Sequence, residues 1–329
     1  MLDLRRRDFI TLLGGAAAAW PLAARAQQPE RMRRIGVLMG LADNPQGQAY
    51  AAALVEGLRE LGWTNERNIT FDIRWAGGSA EKARALAKEL IDRAPDLVVA
   101  QNTPMVAALL QETRTLPIVF VNVADPVGSG FVASVPRPGG NVTGFTGYEP
   151  SLASKWLGLL KEIAPRVTRA ALVFNPETGP GFTFLRAAET ISSDIKVIGA
   201  PVTSTSAIEQ GVNELVREPN GGLIISPDNF TAIHYKLIVS LSARHRIPAV
   251  YPFRYIPSEG GLIAYGVDIT DLHRRAASYV DRILKGAHPS DLPVQSPIKF
   301  FMSVNIRTAR ALGLDVPPTL LAIADEVIE

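Results

Sequence analysis

At 329 residues, 47% apolar and 20% charged, with a formal net charge of +2, the chain is long enough for two globular cores and shows no disordered or collagen-like bias. It has no cysteine, which excludes disulfides, thiolate catalysis, cysteine-ligated metals and a lipid-modified cysteine anchor. Setting aside residues 1–26 removes four of the 34 basic and two of the 32 acidic residues, so the remainder is neutral and carries no nucleic-acid or anionic-membrane footprint.

Those first 26 residues read as an export signal. Arg5, Arg6 and Arg7 precede Asp8-Phe9-Ile10, an apolar run follows to Ala19, and Ala24-Arg25-Ala26 has the small-x-small form of a cleavage site. Arg6-Arg7-Asp8-Phe9-Ile10 has the twin-arginine form, so export in a folded state to the periplasm and cleavage near Ala26 are expected.

Strands and helices then alternate. Strand Arg34–Met39 precedes helix Gln48–Leu61, strand Ile69–Arg74 precedes a Ser79-capped helix to Ala94, and strand Leu97–Ala100 precedes a helix from Thr103 to Thr113. Ile118–Val121 is a continuous β-branched and aromatic run, the pattern of a parallel strand buried on both faces. A short segment near Phe131–Val135 and strand Asn141–Thr146 complete the first cycle, and Gly147–Pro150 reads as a crossing. The second cycle has helix Leu152–Ile163, strand Ala170–Phe174, helix Gly181–Ser193, strand Lys196–Gly199, helix Ala207–Arg217 and strand Leu223–Ser226. Helix Ala232–Arg244, strand Pro248–Tyr251 and strand Leu262–Tyr265 follow, then a crossing at Gly266–Asp268 and helix Leu272–Leu284, which rejoins the first unit. The expected class is α/β, two doubly wound, Rossmann-like parallel-sheet lobes joined by a hinge. The lobes are 31–147 plus 268–292, and 148–267 plus 293–329.

Strand after strand ends in a polar residue beside a proline: Asn44-Pro45, Thr103-Pro104, Asp125-Pro126, Asn175-Pro176 and Pro227-Asp228. Ligands of open parallel sheets sit past the carboxyl ends of the strands, so two such edges facing each other would make one cleft. The candidate ligand-binding residues are Asn44, Asn102, Thr103, Asn122, Asp125, Asn175, Asp228, Tyr251, Arg254 and Tyr265. Asn102-Thr103 at a helix start suits a carboxylate, or Thr103 is only a cap. Asp125 and Asp228 suit an ammonium group, with a turn as the rival role of Asp125. Tyr251 and Tyr265, with Trp75, Phe253 and Tyr255, could sandwich a ring or simply pack. Arg254 could pair with a carboxylate, and Asn122 and Asn175 are hydrogen-bonders or turn residues. His234, His245, His273 and His288 lack metal-ligand spacing, and no nucleophile elbow, phosphate loop or dinucleotide fingerprint follows a strand. No catalytic residue, metal or cofactor is expected.

Several segments together carry a resemblance over nearly the whole chain: Gly57–Gly62, Ile118–Gly130, Arg137–Gly144, Ala243–Ala249, Glu259–Leu262, Tyr265-Gly266, Arg274–Ala277 and Ala324–Ile328. The chain resembles the periplasmic substrate-binding proteins of ABC importers, in the group that includes tryptophan- and tyrosine-type aromatic amino acid binders. The resemblance implies a type I periplasmic binding protein fold that closes on a small solute and delivers it to an inner-membrane permease. A monomer that binds no nucleic acid is expected. The first cleft loop, Gly40–Asn44, is variable in such proteins. The competing readings are a periplasmic enzyme, a sensor subunit presenting solute to a membrane receptor, and a sugar-repressor type regulator. The last would need a helix-turn-helix where the export signal stands.

Overall fold

The computed structural model describes residues 31–177, 180–190 and 194–329, so the expected export signal and its cleavage point lie outside the described residues. In the first half of the chain, β1 (Arg33–Met39), β2 (Ile69–Trp75), β3 (Leu97–Gln101), β4 (Ile118–Val123) and β5 (Val142–Thr146) form an all-parallel sheet ordered β2-β1-β3-β4-β5. Its crossovers carry α1 (Pro45–Glu60), α2 (Ala80–Asp92) and α3 (Thr103–Glu112).

The second sheet repeats that order. β6 (Arg169–Phe174), β7 (Lys196–Pro201), β8 (Gly221–Ile225), β9 (Ala249–Tyr251) and β10 (Ile263–Val267) run β7-β6-β8-β9-β10, all parallel. Then β11 (Phe300–Asn305) pairs antiparallel to β10, and β12 (Glu326–Ile328) pairs parallel to β11. The helices here are α4 (Leu152–Ile163), α5 (Gly181–Thr190), α6 (Thr205–Leu215), α7 (Asn229–Ile233) and α8 (Tyr235–Arg244). After α9 (Ile269–Leu284) come α10 (Ile306–Leu312) and α11 (Pro318–Ile323). Each sheet reverses its winding between its first and third strands, so each has a crevice at that point.

Two departures from the sequence reading bear on function. β4 extends through Asn122 with a register shift between Val121 and Val123, and Asn122 adopts φ 64°, so it sits in a bulge rather than beyond the strand. The single helix expected over 232–244 is two, α7 and α8, broken at His234. The short segment Phe131–Val135 has no regular structure and is held by Ala133 N–H to Pro138 O at 2.8 Å and Val294 N–H to Val135 O at 2.8 Å.

Helix α9 returns to the first sheet. Its buried stripe, Leu272, Ala276, Val280 and Ile283, follows the helical period and makes one apolar face. Gly57 of α1 lets it approach: a Cβ there would lie 2.7 Å from the Arg274 carbonyl oxygen. Arg274 pairs with Glu60 at 2.8 Å, and Tyr50 stacks on His273 with centroids 5.1 Å apart. The chain stays on the first sheet as far as Gln295, whose carbonyl accepts from Thr146 N–H and whose N–H donates to Gly144 O, both at 2.9 Å. The backbone therefore passes between the sheets at 147–151, 267–268 and 296–299, and two of these passages are tied together by Asp268 N–H to Lys299 O at 2.9 Å. No helix among the described residues is long and apolar enough to cross a membrane.

Candidate functional site

The site begins at the end of β3. Gln101 is buried, and its Oε1 accepts from Gly40 N–H at 3.0 Å and Leu41 N–H at 3.3 Å, tying the first loop to the strand tip. Asn102 follows with φ 71° and ψ 167°, a strained conformation for a residue other than glycine. Its carboxamide fits only because residue 40 is glycine, where a Cβ would stand 1.9 Å from Nδ2. Nδ2 donates to Asn229 Oδ1 across the cleft at 3.0 Å. On the neighbouring strand, Asn122 Oδ1 lies over Gly147, where a Cβ would stand 1.7 Å away. Asn102 Oδ1, Asn122 Oδ1 and, on the second lobe, Ser226 Oγ are all buried without a hydrogen-bond partner. Such groups are costly, and they mark acceptors a ligand donor would satisfy.

Opposite them, β6 and β8 end in Asn175 and in Ser226-Pro227-Asp228. Asp228 caps α7: its Oδ1 accepts from Thr231 N–H at 2.8 Å, and its Oδ2 accepts from Asn175 N–H at 3.1 Å. Thr231 Oγ1 donates to Ser226 O at 2.8 Å and completes a capping box with Asp228. Burial pushes the Asp228 carboxyl up to about 6, although these backbone donors pull the other way. Desolvation therefore outweighs hydrogen bonding, and a ligand cation here would offset it. Tyr148, in the crossing, faces both Asn122 and Asp228, and burial raises its hydroxyl.

Both lobes and the hinge also line a cavity of about 450 Å³, through Gln46, Tyr50, Phe253, Tyr255, Asp268 and Thr270. Tyr50 is buried, and that burial raises its hydroxyl. Phe253 and Tyr255 hold parallel rings with centroids 5.8 Å apart. Such a space, apolar rings beside a few convergent polar groups, is of the kind that takes a small molecule.

The structure thus brings Asn102, Asn122, Asn175 and Asp228 to one cleft. Arg254 lies at the cavity edge over the Phe301 ring, 5.1 Å from its centroid. The others are placed elsewhere. Asn44 is exposed and caps α1 through Gly47 N–H at 2.8 Å, and Asp125 is exposed and closes a turn onto Gly128 N–H at 2.7 Å. Thr103 Oγ1 only accepts from Ala124 N–H at 3.5 Å. Tyr251 points into the core of the second lobe, its hydroxyl on Ser242 at 3.2 Å. Tyr265 stacks on Phe300 beneath Lys155, away from the cleft. Both tyrosines lie within strands, so their side chains stand on a face of the sheet rather than at its carboxyl edge. Tyr50, Tyr148, Ser226 and Asn229 were missed. Tyr148 lies in the expected crossing and Asn229 adjoins Asp228, so proximity to a hinge or strand tip was the available signal. Among the described residues no group of three or more His, Asp or Glu could hold a metal.

The family model for ABC transporter substrate binding proteins matches residues 35–328. The chain belongs to that family. Substrate-binding proteins of this kind bind small solutes and deliver them to ABC permeases. This one is 23% identical over 287 residues to the Tyrosine-binding protein of Clostridioides difficile, a match that covers 87% of this chain and 82% of the relative. The ABC domain of Streptococcus pneumoniae, solved in complex with L-Trp, is 26% identical with a TM-score of 0.81 over 90% of this chain and 99% of that one. A conserved domain protein from Vibrio cholerae is likewise 26% identical, with a TM-score of 0.83 over 90% of this substrate-binding protein and 100% of the neighbour. The two-lobe periplasmic binding protein fold read from the sequence is the observed one.

Proposed function

We propose that this substrate-binding protein captures a small solute bearing an aromatic ring and an amino group, an aromatic amino acid being the leading candidate. The observation that carries the reading is the acceptor-rich polar floor of Asn102, Asn122 and Asp228, in a protein whose two lobes also line a cavity with Tyr50, Phe253 and Tyr255. The floor's only formal charge among these residues is negative and desolvated, which suits an ammonium group, and the rings suit an aromatic side chain. The L-Trp of the pneumococcal structure and the name of the clostridial relative support the same ligand class. The solute is expected to be met in the periplasm after export directed by residues 1–26, and passed on by lobes divided near 147, 268 and 295.

Isothermal titration of the purified protein with L-tryptophan, L-tyrosine and L-phenylalanine, each beside its des-amino analogue, tests the ligand class. Binding of at least one amino acid, weakened about 30-fold or more without the amino group, is expected from the loss of a buried charge pair. Indifference to all three, or equal binding of the analogues, would refute it.

A further inference from the structure

The two lobes are built alike at the crevice where each sheet reverses its winding, and a ligand of an open parallel sheet binds at such a point. In each, a side chain at the tip of the third strand accepts from the first backbone amide past the first strand. Gln101 Oε1 accepts from Gly40 N–H at 3.0 Å, and Asp228 Oδ2 accepts from Asn175 N–H at 3.1 Å. The two crevices face each other, because Asn102, next to Gln101, donates to Asn229, next to Asp228, at 3.0 Å.

What each side chain has to spare is opposite in character. Asp228 is an acceptor and carries the charge of a carboxylate when ionised. Gln101 is 2% exposed, and the amides of Gly40 and Leu41 fix which end of its carboxamide is oxygen, so Nε2 keeps N–H donors that meet no acceptor among the described residues. A buried donor without a partner is costly, and a solute acceptor would satisfy it. The helix that starts beside it is uncapped as well. Asn44 caps α1 and Ser79 caps α2 through their side chains, whereas Asn102 makes no such bond to α3. First-turn amides without a cap favour an anion.

We propose that Gln101 binds the solute, its Nε2 donating to a carboxylate held between it and the start of α3, so that the solute is a zwitterion with its ammonium group toward Asp228 on the other lobe. This rests on the reading of a ring and an amino group above and adds the carboxylate to it. Gln101 also ties down the loop at Gly40 and Leu41, and the two roles need different halves of the carboxamide: the loop needs the oxygen, the solute the nitrogen.

Calorimetry with L-tryptophan and with tryptamine, which keeps the ring and amino group and lacks the carboxylate, tests the assignment. The unsubstituted protein should bind tryptamine about tenfold or more weakly than L-tryptophan. Gln101→Glu keeps an oxygen for the loop amides but sets a negative charge against the solute's own, so L-tryptophan should weaken about 30-fold or more and tryptamine less than about threefold. Gln101→Met keeps the length without either polar group; it too should cost L-tryptophan more than tryptamine, and it carries the test if the glutamate variant does not fold. Equal binding of the two compounds by the unsubstituted protein, or variants that weaken both alike, overturns the assignment and leaves the ring and ammonium reading standing. A glutamate variant with unaltered affinity for L-tryptophan overturns it also, since only the loop then needs residue 101. Binding of neither compound by the unsubstituted protein refutes this assignment together with the reading it rests on.

Discussion

The second sheet has two ends, and each has a cavity. At the carboxyl end, the edge where Asn175 and Asp228 are buried, the space is about 450 Å³ and is lined by Phe253 and Tyr255 with Tyr50 from the other lobe. At the amino end it is larger, about 570 Å³, where α4, α6, α8 and α10 finish. There Arg166, Arg246, Glu218 and Asp315 line it, and Arg169 pairs with Glu218 and donates to Leu215 O at 3.1 Å. The difference follows from winding. Right-handed crossovers put helix amino termini at the strands' carboxyl edge and helix carboxyl termini at the other. Free amides with partial positive charge favour Asn, Ser and Asp caps, and free carbonyls favour arginine. Volume therefore does not identify the site. Buried hydrogen-bonding capacity left unused does.

The sharpest way to break this comparison is Asp228→Asn. Asparagine still caps α7, so the fold persists while the charge is lost, and affinity for an aromatic amino acid should drop about 30-fold or more by calorimetry. A change under threefold would place the cation elsewhere.

A smaller effect comes from pH. With the free carboxyl titrating at about 6, only roughly a tenth is ionised at pH 5, so affinity between pH 7.5 and 5 should fall about tenfold. Asp228→Asn should flatten that slope, and a slope that persisted in it would belong to another group.

Stability gives a third test. Burial raises Asp228 from 3.8 to about 6, so the native state binds its proton more readily than the unfolded one, and this carboxyl's contribution falls as pH rises from about 4 to 6. Burial lowers His273 from 6.5 to about 4, so its contribution rises with pH over about 4 to 6.5. The two oppose each other. Asp228→Asn should unmask His273, and melting should then drop by roughly 5 °C between pH 6.5 and 4.5. A melting temperature that did not fall would remove His273 from the account.

The smallest effect is expected at the amino end. Glu218→Gln and Asp315→Asn should each leave solute affinity within about twofold, because no polar group there is poised toward the cleft. A larger loss from either would make the bigger cavity functional after all.

What the residues alone decided was the repeated grammar. Buried β-branched runs such as Ile118–Val121, helix punctuation at Ser79 and Gly62, and polar-proline strand ends set two parallel sheets and the edge where a ligand belongs, because these signals are local and periodic. Asn102, Asn175 and Asp228 were legible for that reason, as strand-tip residues. Only the tertiary structure decided which tips converge. It turned Asp125 and Asn44 into solvent-facing turn and cap residues, buried Tyr251, and set Asn122 in a bulge. It also brought Tyr50, Tyr148 and Asn229 to the cleft from a helix face, a crossing and the opposite lobe. Facing depends on sheet register and on how two separately wound units meet at a hinge, and neither is encoded in the spacing of any one segment.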